Sequence, residues 1–286
     1  MSGISLDEAR AVLAERNLIA VGARGDEERR RRHGARTTFV RVIEVPVGAV
    51  PASLPASASP GEVRVVGKPA SADEAVAAVR AAVAAAGRVP LTAFSLADLF
   101  ALAGHGVHGL AELATRLVDA GLQAVAEAPI DAFPGEVAVV AIQQTVQSGL
   151  RVPRLTIREG TVEAPERLLA RAVEIQRVSG GVRTFVPLPR LSSIAQPSTG
   201  YDDVKTIAAA RLHVHNIDSI QVDWALYGPK LAQVALTVGA DDVDGVSALE
   251  GDLGRRRSPL EEIRGNITAA GLDAVERDGF FRPIDQ

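Results

Sequence analysis

The stretch EVRVVGKPASADEAVAAVRAAVAAAGRVPLTAFS, residues 62–95, decides the fold. Its opening, Glu62 to Gly67, is short, apolar and rich in valine, as a strand buried on both faces requires. Ser71 then precedes an alanine- and valine-rich run from Ala72 to Ala86. A serine at that point accepts the free amides of a first helical turn, so the spacing predicts a helix over 72–86. Val89 to Phe94 reads as a second strand. Strand, helix and strand in direct succession form the repeating unit of a parallel sheet with helices outside it.

The alternation extends in both directions. Downstream, Leu122–Ala126, Arg154–Arg158, Val182–Leu188 and Ile220–Leu226 read as strands. Helical material from Leu96 to Ala120 breaks near Gly104, Gly106 and Gly109, and Glu136–Gln147, Ala164–Val178 and Asp202–His213 read as further helices. Upstream, Leu6, Ala9, Val12 and Leu13 recur at helical spacing within 5–33, and Thr38–Val45 alternates as a strand. Pro46, Pro51, Pro55 and Pro60 make 46–61 a loop. Seven such strands, with no dinucleotide fingerprint after the first, predict an α/β protein built as a TIM-like (β/α) barrel, one strand short of complete. A single domain over 1–286 is expected, with a helical lead-in (1–36), a β/α core (37–228) and a C-terminal helical extension (229–286).

Composition excludes several classes of function. The chain has no cysteine, which rules out disulfides, zinc–thiolate sites, cysteine-ligated iron–sulfur clusters and a cysteine nucleophile. Its net charge of −4 gives no electrostatic footprint for nucleic acid. Arg29, Arg30, Arg31 and Arg32 are the exception, but Asp26, Glu27 and Glu28 precede them and nearly cancel their charge. No apolar run approaches the roughly 18 residues of a membrane span. Met1 to Asp7 lacks the basic-then-apolar pattern of a signal peptide, so a cytoplasmic location is expected.

In a TIM-like barrel the chemistry gathers where the strands end. That rule selects Glu44, Lys68, Ser95, Glu127, Arg158, Glu159, Arg190, Asp223 and Tyr227. Such a set suits a polar small molecule; the bland alternative is a rim of structural ion pairs, and the two readings stand level. Gly104-His105-Gly106-Val107-His108-Gly109 fits G-x-G-x-x-G by letters but follows helix rather than strand, so it reads as a turn. His105 with His108 is surrounded by glycines and lacks an adjacent acidic ligand, and His213 with His215 lies near a helix end, where histidine meets free carbonyls, so no metal site is expected. Asp241, Asp242 and Asp244, bracketed by Gly239 and Gly245, read as an acidic turn after a helix. Composition favours a solvated loop there, and a calcium loop would need a distal glutamate that is missing.

Two longer stretches carry a family resemblance. Gly200-Tyr201-Asp202-Asp203-Val204-Lys205-Thr206-Ile207 and Trp224-Ala225-Leu226-Tyr227-Gly228-Pro229-Lys230-Leu231-Ala232-Gln233, followed by Gly239 to Gly245, resemble aminofutalosine synthase. Dehypoxanthine futalosine cyclase and the FO synthase subunits share parts of the pattern. Arg32-His33-Gly34, Thr184 to Leu188 and Glu276-Arg277-Asp278 also fit, so the resemblance runs over 5–283 and is most specific over 200–245. It implies a barrel of the radical SAM type and a link to menaquinone formation by the futalosine route. It also implies a CxxxCxxC cluster loop after the first strand, a glycine-rich second strand end that contacts S-adenosylmethionine, and a glutamate after the fourth strand. Here those places read Pro46 to Ser59, Val66-Gly67-Lys68, and Glu127-Ala128-Pro129-Ile130-Asp131. Cluster loop and cofactor contact are altered together, and no cofactor is assigned. By the same resemblance, Asp241, Asp242 and Asp244 would lie near the barrel mouth with Gln233.

Two functional expectations follow. The first is a cluster-less, non-radical homologue that binds a small molecule, such as a futalosine-type nucleoside, or acts as partner subunit to a radical SAM homologue or to itself. The second is an enzyme of new, non-redox chemistry (lyase, isomerase or hydrolase). In it Arg158 or Arg190 would hold an anionic group, and Glu127, Asp131 or Glu159 would serve as general base.

Overall fold

The computed structural model describes residues 3–133, 136–160, 163–191, 200–249 and 259–284. Helices α1 (Leu6–Ala14) and α2 (Leu18–His33) lead in, the first closed by a reciprocal capping box between Ser5 and Glu8. Eight parallel strands then pair in chain order, and the last returns to the first. They are β1 (Arg36–Pro46), β2 (Glu62–Val66), β3 (Leu91–Ser95), β4 (Ala124–Pro129), β5 (Arg154–Ile157), β6 (Thr184–Pro189), β7 (Ser219–Asp223) and β8 (Asp242–Ser247). Between them run α3 (Ala72–Ala86), α4 (Leu96–Leu102), α5 (Val107–Asp119), α6 (Val137–Gln147), α7 (Pro165–Ser179), α8 (Gly200–His213) and α9 (Trp224–Leu236). Helix α10 (Pro259–Ala269) follows β8, and β9 (Asp273–Glu276) pairs with the first residues of β1. This is a TIM-like α/β barrel.

The predicted capping of 72–86 is present, with the Ser71 hydroxyl accepting from the Glu74 amide. Four features differ from the sequence reading. The acidic run is not a turn but the eighth strand: Asp242 and Asp244 point into the barrel with buried Val243 between them, a period-2 pattern that the aspartates disguise, and the register against β1 shifts before Val246. The region 229–286 is therefore no helical extension, since it supplies β8 and β9. Strand β7 stops at Asp223, because that carboxylate accepts the Leu226 amide and caps α9, which puts Tyr227 in a helical turn. The helical break falls over 103–106 and leaves Gly109 inside α5.

The crossover from β1 to β2 contains no helix. Residues 47–61 run along the outside of the barrel, with Val47, Val50, Leu54 and Ala58 packed on the core. The Gly61 amide bonds to the Arg41 carbonyl and sets β2 in register with β1.

Buried charge occupies the barrel interior. At the bottom Arg277, just beyond β9, grips Asp242 with two bonds of 2.6 Å, and Thr38 and Gln221 also donate to that carboxylate. The Phe281 ring lies 3.9 Å from the Arg277 guanidinium carbon. One tier higher, Arg64 bonds Glu62 at 2.8 Å and Asp244 at 2.9 Å, while Arg154 approaches the same carboxylates at 3.6 and 3.3 Å. Thr92 donates to Glu62. All three arginines and all three carboxylates are at most 5% exposed. Gly279 carries the tail across the bottom so closely that a Cβ there would come within 2.8 Å of Glu62.

Burial alone would raise the Glu62 and Asp244 carboxyls, but Arg64 and Arg154 outweigh it and hold both below the usual range. Their folded pKa values being lowered, the stability they contribute is complete at neutral pH. It is lost as pH falls below their unfolded range, near about 4. Arg277→Leu leaves Asp242 buried without its counter-charge and is expected to cost about 3–5 kcal/mol in urea unfolding at pH 7. Replacing Asp242 by leucine as well should restore much of that loss. A single variant within about 0.5 kcal/mol of wild type would contradict this account of the core.

Candidate ligand site at the barrel mouth

The polar column continues upward to a cavity of about 180 Å³ at the strand ends. Arg64 and Arg154 are on its floor; Glu44, Lys68, Ser95, Asp98, Glu127 and Arg190 line the walls and rim. Asp98, Glu127 and Arg190 also border an outer, more open cleft with Arg158 and Leu191. Strand register explains the gathering: Glu44 pairs with Arg64 across β1 and β2, and Ser95 with Glu127 across β3 and β4. Phe94, buried in the cavity wall, takes φ 62°, which turns β3 into α4 without a loop. Such left-handed backbone in a bulky residue costs about 1–3 kcal/mol and is held only where the surroundings over-determine it.

Arg190 bridges the mouth, with Nε 3.1 Å from Glu127 and Nη1 3.1 Å from Asp223. Burial alone would lower its pKa, but Glu127, Asp223 and Asp244 together raise it, so the guanidinium stays charged. Gly245 makes room for this bridge: its φ is 74°, and a Cβ would meet Asp223 Oδ1 at 2.6 Å. Arg158 reaches Ser95 at 3.3 Å and Asp98 at 3.4 Å, both long contacts. Among the described residues neither Lys68 nor Glu44 has an ion-pair partner, and both are exposed at the rim.

The structure thus brings together Glu44, Lys68, Ser95, Glu127, Arg158, Arg190 and Asp223 from the residues that the sequence selects. It separates the others. Asp131 accepts the backbone amides of Arg158, Glu159 and Gly160 at 2.6–3.0 Å, so it fixes the end of β5 and is not a free base. Glu159 is exposed and outside the cavity lining. Tyr227 donates its hydroxyl to the Pro189 carbonyl, and burial raises its pKa above the usual phenol range. Gln233 lies on the outer side of α9, where its amide faces Asn266 of α10.

Asp241 and Asp242 are at the opposite end of the barrel. Asp241 pairs with Arg211 and accepts the Ile220 amide, and His33 approaches it at 3.4 Å. Asp244 lies beneath the cavity floor, bonded to Arg64. The carry-over of these residues to the mouth fails because β8 begins at Asp242, and a parallel strand begins at the bottom. The sequence reading missed Arg64, Arg154 and Asp98. The first two were legible as lone charges within apolar strands, where a side chain alternates either outward against a helix or into the barrel.

Comparison with known proteins fits this picture. Residues 183–278 match the family described as the CofH/MqnC C-terminal region. Over 234 residues the chain is 26% identical to the aminodeoxyfutalosine synthase of Streptomyces coelicolor, covering 71% of this chain and 60% of that enzyme. Over 152 residues it is 33% identical to 5-amino-6-(D-ribitylamino)uracil–L-tyrosine 4-hydroxyphenyl transferase 1 of Methanosarcina barkeri, covering 45% and 40%. The matched part thus spans two fifths to three fifths of these relatives. The solved methylornithine synthase PylB shares the fold, with TM-score 0.64 at 11% identity over 95% of this chain and 94% of that one. The resemblance to radical SAM enzymes of the futalosine pathway holds, in a chain with no cysteine. The matched span includes Arg211, Asp241, Asp242, Asp244 and Arg277, which close the barrel, and also Arg190 and Asp223 at its mouth.

If Asp131 is structural, Asp131→Ala strands three backbone amides and should lower stability by about 1–3 kcal/mol in chemical denaturation. Glu159→Gln should change it by less than about 0.5 kcal/mol. A stable Asp131→Ala protein would reopen the general-base role.

Proposed function

We propose that this protein is a cluster-less, non-radical homologue of aminodeoxyfutalosine synthase that binds a polar small molecule at the barrel mouth and serves menaquinone biosynthesis as a binding or partner subunit. The observation that carries the reading is the β1–β2 connection. Residues 47–61 hold no cysteine, histidine, aspartate or glutamate, so they offer no ligand to an iron–sulfur cluster. With Lys68 in place of a glycine-rich strand end, the residues present do not fit the group that the family uses.

Binding is favoured over new catalysis by the state of the candidate bases. Glu127 is tied to Arg190, Asp131 to three amides, and Glu159 points away from the cavity lining. What remains is a set of arginines and carboxylates held in fixed positions, which suits recognition of a ligand with several polar groups. A futalosine-type nucleoside would have to occupy the outer cleft bordered by Arg158, Arg190 and Leu191. The partner would be a radical SAM homologue that retains its cluster.

The test joins reconstitution with binding. Anaerobic treatment with iron and sulfide should yield no cluster absorption and no cleavage of S-adenosylmethionine. Calorimetry with futalosine-type nucleosides should register binding, or the protein should co-purify with a radical SAM relative. A reconstituted cluster, or the failure of both binding arms, overturns the proposal.

A further inference from the structure

From the floor of the mouth cavity we infer a subsite for a compact carboxylate, anchored by Arg154 below and Lys68 at the rim. The inference rests on the reading of the mouth as a ligand site and names what its inner chamber takes. Its first support is the disposition of charge. Arg64, Lys68, Arg154 and Arg190 line the cavity against three carboxylates, Glu44, Asp98 and Glu127, while Glu62, Asp244 and Asp223, which also neutralise the arginines, lie outside the lining. Cations thus outnumber carboxylates on the cavity wall, and part of their counter-charge lies behind them.

The second support is an incompletely bonded guanidinium. Arg154 is 3% exposed, yet its only hydrogen bond among the described residues runs from Nη1 to the Ala126 carbonyl at 2.8 Å. Among the described residues its Nε has no acceptor, and Nη2 meets Glu62 Oε2 and Asp244 Oδ2, themselves without a hydrogen bond, only at 3.6 and 3.3 Å. Arg64, by contrast, bonds both carboxylates directly. A buried cation short of acceptors is costly unless an anion completes it. Glu62 and Asp244 already balance the charge of Arg64 and Arg154. A carboxylate in the cavity would therefore supply an acceptor from above, and Lys68, without an ion-pair partner among the described residues, would close over it.

The third support is size. A cavity of 180 Å³ falls below the roughly 300–1,000 Å³ of pockets that take drug-sized ligands, which suits a compact molecule. A nucleoside is too large for this chamber. Glu44, Asp98 and Ser95 at the walls can accept from a hydroxyl on the same molecule, so hydroxy-acids of two to four carbons are the class that fits.

Titration of the full chain with acetate, glycolate, pyruvate and succinate, and separately with inorganic phosphate, tests the subsite. At least one carboxylate should bind with a Kd of about a millimolar or tighter. Lys68→Ala changes an exposed, unpaired residue and should weaken that binding at least about fivefold, as about 1 kcal/mol is lost. Arg154→Lys, checked for folding by circular dichroism, should abolish it. Carboxylate binding untouched by both variants overturns the placement. Phosphate binding as tight as the best carboxylate, with the same sensitivity, overturns the assigned class. A futalosine-type nucleoside that binds when none of the carboxylates does overturns the subsite and leaves the broader function standing.

Discussion

The structure depends on keeping six buried charges paired inside a barrel. Glu62, Arg64, Arg154, Asp242, Asp244 and Arg277 come from β2, β5, β8 and the C-terminal tail, segments far apart in sequence. An unpaired ion in that interior would cost several kcal/mol, so the barrel can close only when all four segments are in place. This makes the tail part of the core. Arg277 reaches Asp242 only because β9 pairs with the start of β1 and delivers it under the barrel. Such a network is poor evidence for high stability, since well-packed apolar residues often serve better. Its evident role is to fix register, and to hold Arg64 and Arg154 with their donors toward the mouth.

How much of this was legible in the sequence depends on the kind of signal. Helix 72–86 was readable to the residue because Ser71 caps it and Gly87 follows it. The strands through β7 were readable because buried parallel strands are short apolar runs. The eighth was not: Asp242-Val243-Asp244-Gly245 carries its charge on the barrel-facing side, and composition takes such a run for solvent. A barrel filled with ion pairs inverts the usual pattern. For the same reason the mouth was foreseen better than the floor: strand ends follow from topology, whereas lone charges such as Arg154 show their role only when opposing strands are brought together.

The relation to the radical SAM enzymes can now be stated in physical terms. The matched C-terminal span contributes closure: β6 to β9, the Arg211–Asp241 pair beneath and the Arg277–Asp242 clamp inside. The same span also supplies Arg190 and Asp223, which bridge the mouth. The departures lie in the crossover from β1 to β2, where a proline- and serine-rich segment runs without a helix, and at Lys68. A fold can keep its closure and change its site, because the two reside at opposite ends of the strands.

The central claim is that a charge-lined cavity holding a small molecule takes the place of an iron–sulfur cluster in this chain. Native mass spectrometry of the protein purified anaerobically from its host tests it most directly. The account predicts the mass of the chain, alone or with a small organic adduct lost on denaturation, and neither iron nor acid-labile sulfide in the same sample. A mass increment of a four-iron, four-sulfur cluster, with iron and sulfide in matching amounts, would contradict it.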